Sequence, residues 1–274
     1  MRIHFYKYQA TGNDFVLVDN RTAHLHLTTP QIARICDRRF GIGADGIVLL
    51  EKDAHLDFAI VYYNGDGTQS LCGNGCRSAI DLAGRLGLVS GTTRFSAYDG
   101  EHEGEVLPDG QIRLRMNDVP DVREVNDGFF VDTGSPHFVK FVNKVGDYAV
   151  VEEGRKLRYS DAFKPAGANI NFVETVDQGT LRVRTYERGV EDETLSCGTG
   201  VTAVSLAAVK KGYQSPVTIN VAGGKLSVEF KTSPGPVVPA APGNGTASHR
   251  PPASFHDIFL IGPAKMVFEG DLEL

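Results

Sequence analysis

No run of about 18 apolar residues, the length a membrane-crossing helix requires, occurs in this sequence, so no span is expected. Long Lys/Arg runs are also missing and the formal net charge is −6. The basic footprint of a nucleic-acid binder is therefore absent. Met1 leads directly into Arg2-Ile3-His4-Phe5-Tyr6-Lys7, an amphipathic strand pattern. It has neither the apolar core of a secretory signal nor an Arg/Ser-rich transit composition, so a cytoplasmic location is expected. Cysteine is scarce: Cys36, Cys72, Cys76 and Cys197 are the four. None of them has Cys-x-x-Cys spacing, which argues against a thiol-redox pair. Cys72 and Cys76 have no nearby histidine and no second pair follows, which argues against structural zinc. In a reducing compartment these thiols are expected to stay unpaired.

What is present is a globular composition. Apolar residues make up 41% and charged residues 23% of 274, enough for one large domain or two of ordinary size. The chain also repeats itself. Gly12-Asn13-Asp14-Phe15-Val16-Leu17-Val18 corresponds to Gly134-Ser135-Pro136-His137-Phe138-Val139-Lys140-Phe141, and Phe40–Glu51 lies over Phe163–Glu174 without a gap. Ala59-Ile60-Val61-Tyr62-Tyr63-Asn64 then matches Arg182-Val183-Arg184-Thr185-Tyr186-Glu187. Each of these strands leads through a polar loop into Cys-Gly-x-Gly, at Cys72-Gly73-Asn74-Gly75 and at Cys197-Gly198-Thr199-Gly200. The two cysteines are 197 − 72 = 125 positions apart.

After each motif the apolar period changes from two to about 3.6, so helices are expected from Gly75 to Gly87 and from Gly200 to Gly212. The second is apolar enough to be buried nearly all round. Gly87 and Gly212 stand where C-cap glycines belong. Hairpin strands follow in both halves. The fold class expected is α+β: two pseudo-symmetric domains from an internal duplication, each a curved, mostly antiparallel sheet wrapped around a central helix. The domains read as 1–120 and 121–263, with 264–274 returning as a strand to the first. A Pro-rich stretch at 232–256 reads as a loop insertion, in place of the short Pro108-Asp109-Gly110 turn of the first half.

The paired motifs also suggest chemistry. A helix N-terminus leaves backbone N–H groups unpaired and carries partial positive charge, which favours a carboxylate or a thiolate. One cysteine beside a glycine turn is usually packing, but two at equivalent places in duplicated halves point to a site. If the halves face each other, a thiol lies on either side of one α-carbon. One thiolate then removes the α-proton while the opposite thiol returns a proton to the other face. The N–H groups of Gly73, Asn74, Gly198 and Thr199 would hold the carboxylate charge that develops.

The motifs Lys7-Tyr8-Gln9-Ala10-Thr11-Gly12-Asn13-Asp14-Phe15, Tyr63-Asn64-Gly65-Asp66-Gly67, Cys72-Gly73-Asn74-Gly75, Gly134-Ser135-Pro136-His137 and Tyr186-Glu187-Arg188-Gly189, together with Cys197-Gly198-Thr199-Gly200, resemble the diaminopimelate epimerase family. The resemblance spans nearly the whole chain outside the Pro-rich stretch. It implies interconversion of LL- and meso-2,6-diaminoheptanedioate, on the route to lysine and peptidoglycan precursors, without pyridoxal phosphate, other cofactor or metal. Cys72 and Cys197 would be proton donor and acceptor, in roles that exchange with direction. Asn13, Asn64, Asn169, Glu187 and Arg188 fall on the family's substrate-contacting positions. Arg188 suits a distal carboxylate, and Glu187 suits the substrate ammonium.

Two departures stand out. Many members carry Gln at the position of Gly46 and Asn at that of Ser135, so both substrate contacts differ in this chain. His137 is expected to shape the pocket near the cysteines. The partner expected is a small amino-acid substrate rather than nucleic acid or membrane, with a homodimer left open. The rival readings are a proline- or hydroxyproline-type racemase with the same two-thiol chemistry and a non-catalytic amino-acid-binding module of the same fold.

Overall fold

The computed structural model describes residues 2–234 and 252–273. The chain divides into two compact units. The first takes the described residues of Met1–Arg115, Ala222–Lys225 and Ile261–Leu274, and the second takes those of Met116–Val221 and Leu226–Leu260.

The first unit runs through β1 (Arg2–Ala10), β2 (Asn13–Asp19), α1 (Thr29–Cys36), β3 (Gly46–Glu51), β4 (Phe58–Asn64), α2 (Gly73–Arg85), β5 (Thr92–Ala97), β6 (Gly100–Val106) and β7 (Ile112–Arg115). Next come β8 (Arg123–Val125), β9 (Gly128–Asp132), β10 (Pro136–Phe141), α3 (Val150–Arg158), β11 (Asn169–Thr175), β12 (Thr180–Glu187) and β13 (Asp192–Thr194). The chain continues with α4 (Gly198–Ala208), β14 (Val217–Val221), β15 (Gly224–Pro234), β16 (Pro252–Gly262) and β17 (Lys265–Glu273). The last strand pairs antiparallel with β1, from Arg2↔Glu273 to Gln9↔Lys265.

The duplication is visible in the sign of each strand pairing. In the first unit β1–β2 is antiparallel, β2–β3 parallel, β3–β4 antiparallel and β4–β5 parallel. The second unit repeats this as β9–β10, β10–β11, β11–β12 and β12–β14. The β1–β2 hairpin turns at Thr11 and Gly12, both at positive φ (49° and 87°). A two-residue turn of that kind matches the twist of the strands it joins, and glycine enters it without steric cost.

Each unit packs the helix that follows its Cys-Gly-x-Gly turn against its own strands. α2 lies against β1, β6 and β7 and also touches β2, β3 and β4, whereas α4 lies against β9, β10, β11 and β14. Every residue of α4 except Thr199 is buried. Burying each of its valines and Leu206 contributes about 1.5–3 kcal/mol relative to exposure. Gly87 and Gly212 close the helical segments at φ 70° and 90°, as expected for C-cap glycines.

The Pro-rich stretch differs from its reading at both edges. Residues 232–234 continue β15 and 252–256 belong to β16, while 235–251 lie outside the described residues. Phe255 is buried and exchanges backbone hydrogen bonds with Val119 at 2.8 and 2.9 Å. Ladder bonds outweigh the proline content there, and Pro234 and Pro252 stand at strand ends, where proline is tolerated. Among the described residues, no helix is long and apolar enough to cross a membrane.

Candidate active site

Cys72 and Cys197 are the N-cap residues of α2 and α4, both in extended backbone (φ −131° and −122°), and neither sulfur caps its own helix. The backbone N–H groups of Gly73 and Asn74, and of Gly198 and Thr199, therefore open each helix where no intrahelical acceptor exists.

In the first unit the thiol faces an amide. Cys72 Sγ lies 3.7 Å from Asn13 Oδ1, which also accepts from Asn74 Nδ2 at 3.1 Å. The orientation of Asn13 is fixed from its other side, because its Nδ2 donates to the Asp45 carboxylate. Asn74 is fixed in turn by Arg77, whose Nη2 donates to Asn74 Oδ1 at 2.8 Å. Cys72 therefore meets an oxygen that only accepts, which favours its protonated form. Asn64 is turned into its own loop: Nδ2 donates to Thr68 O, Thr68 Oγ1 and Ser70 Oγ at 3.1–3.2 Å. Its amide oxygen is the group left to meet a ligand. Gly46 lies directly across from Asn64 in the β3–β4 register and beside Phe15 in β2–β3. A Cβ at Gly46 would stand 2.5 Å from both the Tyr62 ring and Tyr63 O. Position 46 is thus glycine because the Tyr62 ring and the Tyr63 carbonyl together occupy the space of a side chain.

In the second unit the polarity is reversed. Asn171 Nδ2 donates to Phe138 O at 3.1 Å, and a carbonyl only accepts, so the same nitrogen faces His137 Nδ1 at 3.2 Å as a donor. Thr185 Oγ1 donates to Asn171 Oδ1 at 2.9 Å and completes the amide's assignment. Complete burial holds the His137 pKa down to about 3, with Arg188 adding to the effect, so the ring is neutral at working pH. Its proton then sits on Nε2, 3.0 Å from Thr199 Oγ1. Having accepted that proton, the Thr199 hydroxyl is free to direct its own at Cys197 Sγ, 3.4 Å away. Cys197 meets a donor, which favours its thiolate.

The other residues singled out from the sequence form a braced strand end in the same unit. Asn169 is buried; Nδ2 donates to Ser135 Oγ at 2.9 Å and Pro136 O at 3.2 Å, and Oδ1 accepts from Arg188 N at 2.8 Å. The amide therefore holds Ser135 and Arg188 in place. Ser135, having accepted, can donate outward. Glu187 accepts from Thr194 Oγ1 at 2.8 Å, and Arg188 Nη1 reaches Ala166 O at 3.4 Å. The turn beyond is pinned by Glu191, which accepts from Arg158, Tyr159, Tyr186 and Gly189 N. Burial pushes its pKa up, but these bonds outweigh it and hold the carboxyl down to about 2.

Asn171, Thr185, Asp45, Arg77 and Tyr62 belong to these arrangements and were not singled out from the sequence. Asn171 was legible in principle, since it follows Asn169 by two positions on one strand and shares its face. The other four carry no comparable spacing signal.

Residues 5–120 and 129–242 match the family model described as diaminopimelate epimerase. The diaminopimelate epimerase of Flavobacterium psychrophilum is 46% identical over 268 residues, covering 96% of this chain and 98% of that protein. That of Chlorobaculum tepidum is 37% identical over 277 residues, covering 96% and 98%.

The chain belongs to the diaminopimelate epimerase family.

Its fold is shared more widely than its sequence. A Bacillus anthracis protein of the phenazine biosynthesis PhzF family superposes with a TM-score of 0.67 at 17% identity, covering 100% of both chains. A hydroxyproline epimerase from Agrobacterium vitis gives 0.66 at 12% identity, covering 99% of this chain and 91% of that one. The two-part α+β fold read from the sequence is therefore the fold of the diaminopimelate epimerase family and these neighbours.

Proposed function

We propose that this chain interconverts LL- and meso-2,6-diaminoheptanedioate in the cytoplasm, supplying lysine and peptidoglycan precursors, with Cys197 and Cys72 as its two bases. What carries the mechanism is the difference between the two N-cap thiols: Cys197 faces a hydroxyl that can donate to it, and Cys72 faces an amide oxygen that can only accept. At rest Cys197 is the thiolate and Cys72 the thiol. Starting from the LL substrate, Cys197 takes the α-proton and the C–H electron pair spreads into the α-carboxylate. The backbone N–H groups that open the reacting helices stabilise that charge. Cys72 then delivers its proton to the opposite face, leaving a Cys72 thiolate and a Cys197 thiol, and the reverse reaction exchanges these roles. The pair supplies both acceptor and donor, so no step calls for pyridoxal phosphate or a metal.

The distal amino-acid head falls to the remaining groups. Arg188 and the outward hydroxyl of Ser135 suit its carboxylate, and Glu187 suits its ammonium. Asn13 places its amide oxygen against Cys72, and the amide oxygen of Asn64 suits a further contact to the substrate. A racemase for proline-like substrates has no distal head to hold, and the braced Glu187–Arg188 turn favours the longer substrate.

The test is a reaction begun from pure LL substrate in deuterated water. Early meso product carries deuterium at the inverted carbon while the remaining LL substrate stays almost unlabelled, because the acceptor thiol returns the original proton on reversal. Unlabelled product, or heavily labelled substrate at low conversion, refutes the two-thiol mechanism.

A further inference from the structure

Among the described residues of the first unit, Arg77 is the one cation buried completely, at 0% exposure. It sits on α2 five residues after the N-cap Cys72 and is held at one edge, with Nη2 donating to Asn74 Oδ1 at 2.8 Å and reaching Thr11 Oγ1 at 3.4 Å. Its Nε and Nη1 are buried with no hydrogen-bond partner. Among the described residues, no carboxylate stands within ion-pairing distance of it. A buried cation without a counter-charge is costly, and such groups persist where something in the site balances them.

Its surroundings narrow what that is. Helical side chains lean toward the helix N-terminus, which carries the guanidinium back toward Cys72 and away from the C-terminal turns. Of the two groups that Nη2 meets, Asn74 donates to Asn13, the residue that faces the Cys72 sulfur, and Thr11 lies two positions before Asn13 in the β1–β2 turn. The ionisable groups that interact with Arg77 are Cys72 and Cys76. Cys76 is fully buried and burial pushes its thiol far up, so it stays protonated. From the packed strands, Tyr8 on β1 pairs with Asp81, which Arg85 already neutralises. Asp14 on β2 and Asp45 lie beyond Asn13 and are bound by Arg38 and, for Asp14, Lys7. Asp99, at the β5–β6 turn, is paired with His102. Among these, Cys72 is the group whose charge changes during turnover.

The second unit lacks this device. With the 125-residue offset, position 77 corresponds to 77 + 125 = 202, and Thr202 only bonds back to Gly198 O at 3.0 Å. Cys197 instead has the Thr199 hydroxyl. The two half-sites thus stabilise their thiolates by different means, one by a hydroxyl donor and one by a buried charge.

We infer that Arg77 is the internal counter-charge of the Cys72 thiolate, the species left when Cys72 has given its proton to product. Burial lowers the guanidinium pKa only to about 10, so it remains charged at neutral pH. Its role is electrostatic, holding the post-transfer state close in energy to the resting state so that turnover runs in both directions.

The inference rests on Cys72 being a reacting thiol, but its test needs no substrate. In the Cys197→Ala protein, the alkylation rate of Cys72 is followed against pH, with total thiol reactivity corrected for Cys36 and Cys76 by peptide mapping. Arg77→Gln retains a donor for Asn74 and loses the charge, whereas Arg77→Lys retains the charge. The glutamine variant is expected to move the Cys72 midpoint upward, lowering alkylation at neutral pH about tenfold, the low end of what a nearby opposite charge does. The lysine variant is expected to keep the parent profile. A parent-like profile for Arg77→Gln, or equal shifts in both variants, overturns the inference. If the glutamine variant does not fold, the parent midpoint decides: a value above the free-thiol pKa of about 8.5 overturns it, and one below supports it. A normal Arg77 result with no epimerisation would count against the two-thiol mechanism alone.

Discussion

Asn171 donates its amide proton to His137 Nδ1 at 3.2 Å, and that bond decides which histidine nitrogen carries the proton. The consequence runs through Nε2 to Thr199 and on to Cys197. Removing the last donor should therefore raise the thiol pKa. In the Cys72→Ala background, Thr199→Val is expected to slow alkylation of Cys197 at neutral pH several-fold, the effect of one hydrogen bond to a charged acceptor. Thr199→Ser keeps the hydroxyl and should behave as the parent. Equal rates for valine and parent would show that the hydroxyl does not feed the sulfur.

The two Cys-Gly-x-Gly turns look alike in sequence, yet their last glycines answer to different constraints. A Cβ at Gly200 would stand 2.6 Å from Asn171 Oδ1 and 3.3 Å from His137 Cε1, whereas one at Gly75 meets nothing closer than 3.5 Å. Gly200→Ala should therefore displace the histidine relay and lose most epimerisation. Gly75→Ala should fold and retain activity within a few-fold. Overpacking of this kind costs about 1–3 kcal/mol, so thermal melts read the same difference. Equal tolerance at both positions would contradict the geometry.

Much of this was legible beforehand because the repeat imposes itself twice. The helices at Cys72 and Cys197, the glycine stops at 87 and 212 and the strand alternation each have a local physical signature. The bracing was not legible. Asn169 belongs to the family's substrate-contacting positions, but its amide is committed to Ser135, Pro136 and Arg188, a fact that depends on three segments meeting. Arg77 reads as one more charge on a helix, and only its complete burial distinguishes it. The edges of the Pro-rich stretch were misread because composition records proline content and not the ladder that Phe255 makes with Val119.

Gly46 makes a third prediction. The Tyr62 ring and the Tyr63 carbonyl fill the room that a side chain at 46 would need, with the Tyr62 hydroxyl 2.7 Å from the place of that Cβ. Gly46→Gln alone should destabilise the protein by about 1–3 kcal/mol through overpacking. Combined with Tyr62→Ala, which removes the ring but leaves the Tyr63 carbonyl 2.5 Å from that Cβ, Gly46→Gln should cost less than it does alone while remaining destabilising. A double-variant cycle in denaturant reads the coupling, and additive losses would mean that the two positions do not compete for one volume.

The last prediction concerns acid. Asp14 stands next to Asn13 and receives Lys7 Nζ at 2.6 Å and Arg38 at 2.7 and 3.0 Å. Burial pushes its pKa up, but the bonds from Arg38 and Lys7 outweigh it and hold the carboxyl down to about 2, against an ordinary 3.8. The sign follows from proton binding: the unfolded chain takes up a proton near pH 4, while the folded chain resists until about 2. The carboxylate's contribution is thus complete above pH 4 and declines as pH falls through 2. Its side chain is 18% exposed, and screening keeps the expected contribution to about 1–2 kcal/mol. Asp14→Asn should be less stable than the parent by that amount at pH 7, with the difference unchanged at pH 5 and shrinking between pH 4 and 2. Arg38 joins Asp14 to Asp45, and Asp45 orients Asn13, so the variant should also lose activity at neutral pH. Denaturant titrations at these pH values decide the matter. A stability gap that closes already between pH 7 and 5, or that persists undiminished at pH 2, would mean that another group carries the acid dependence.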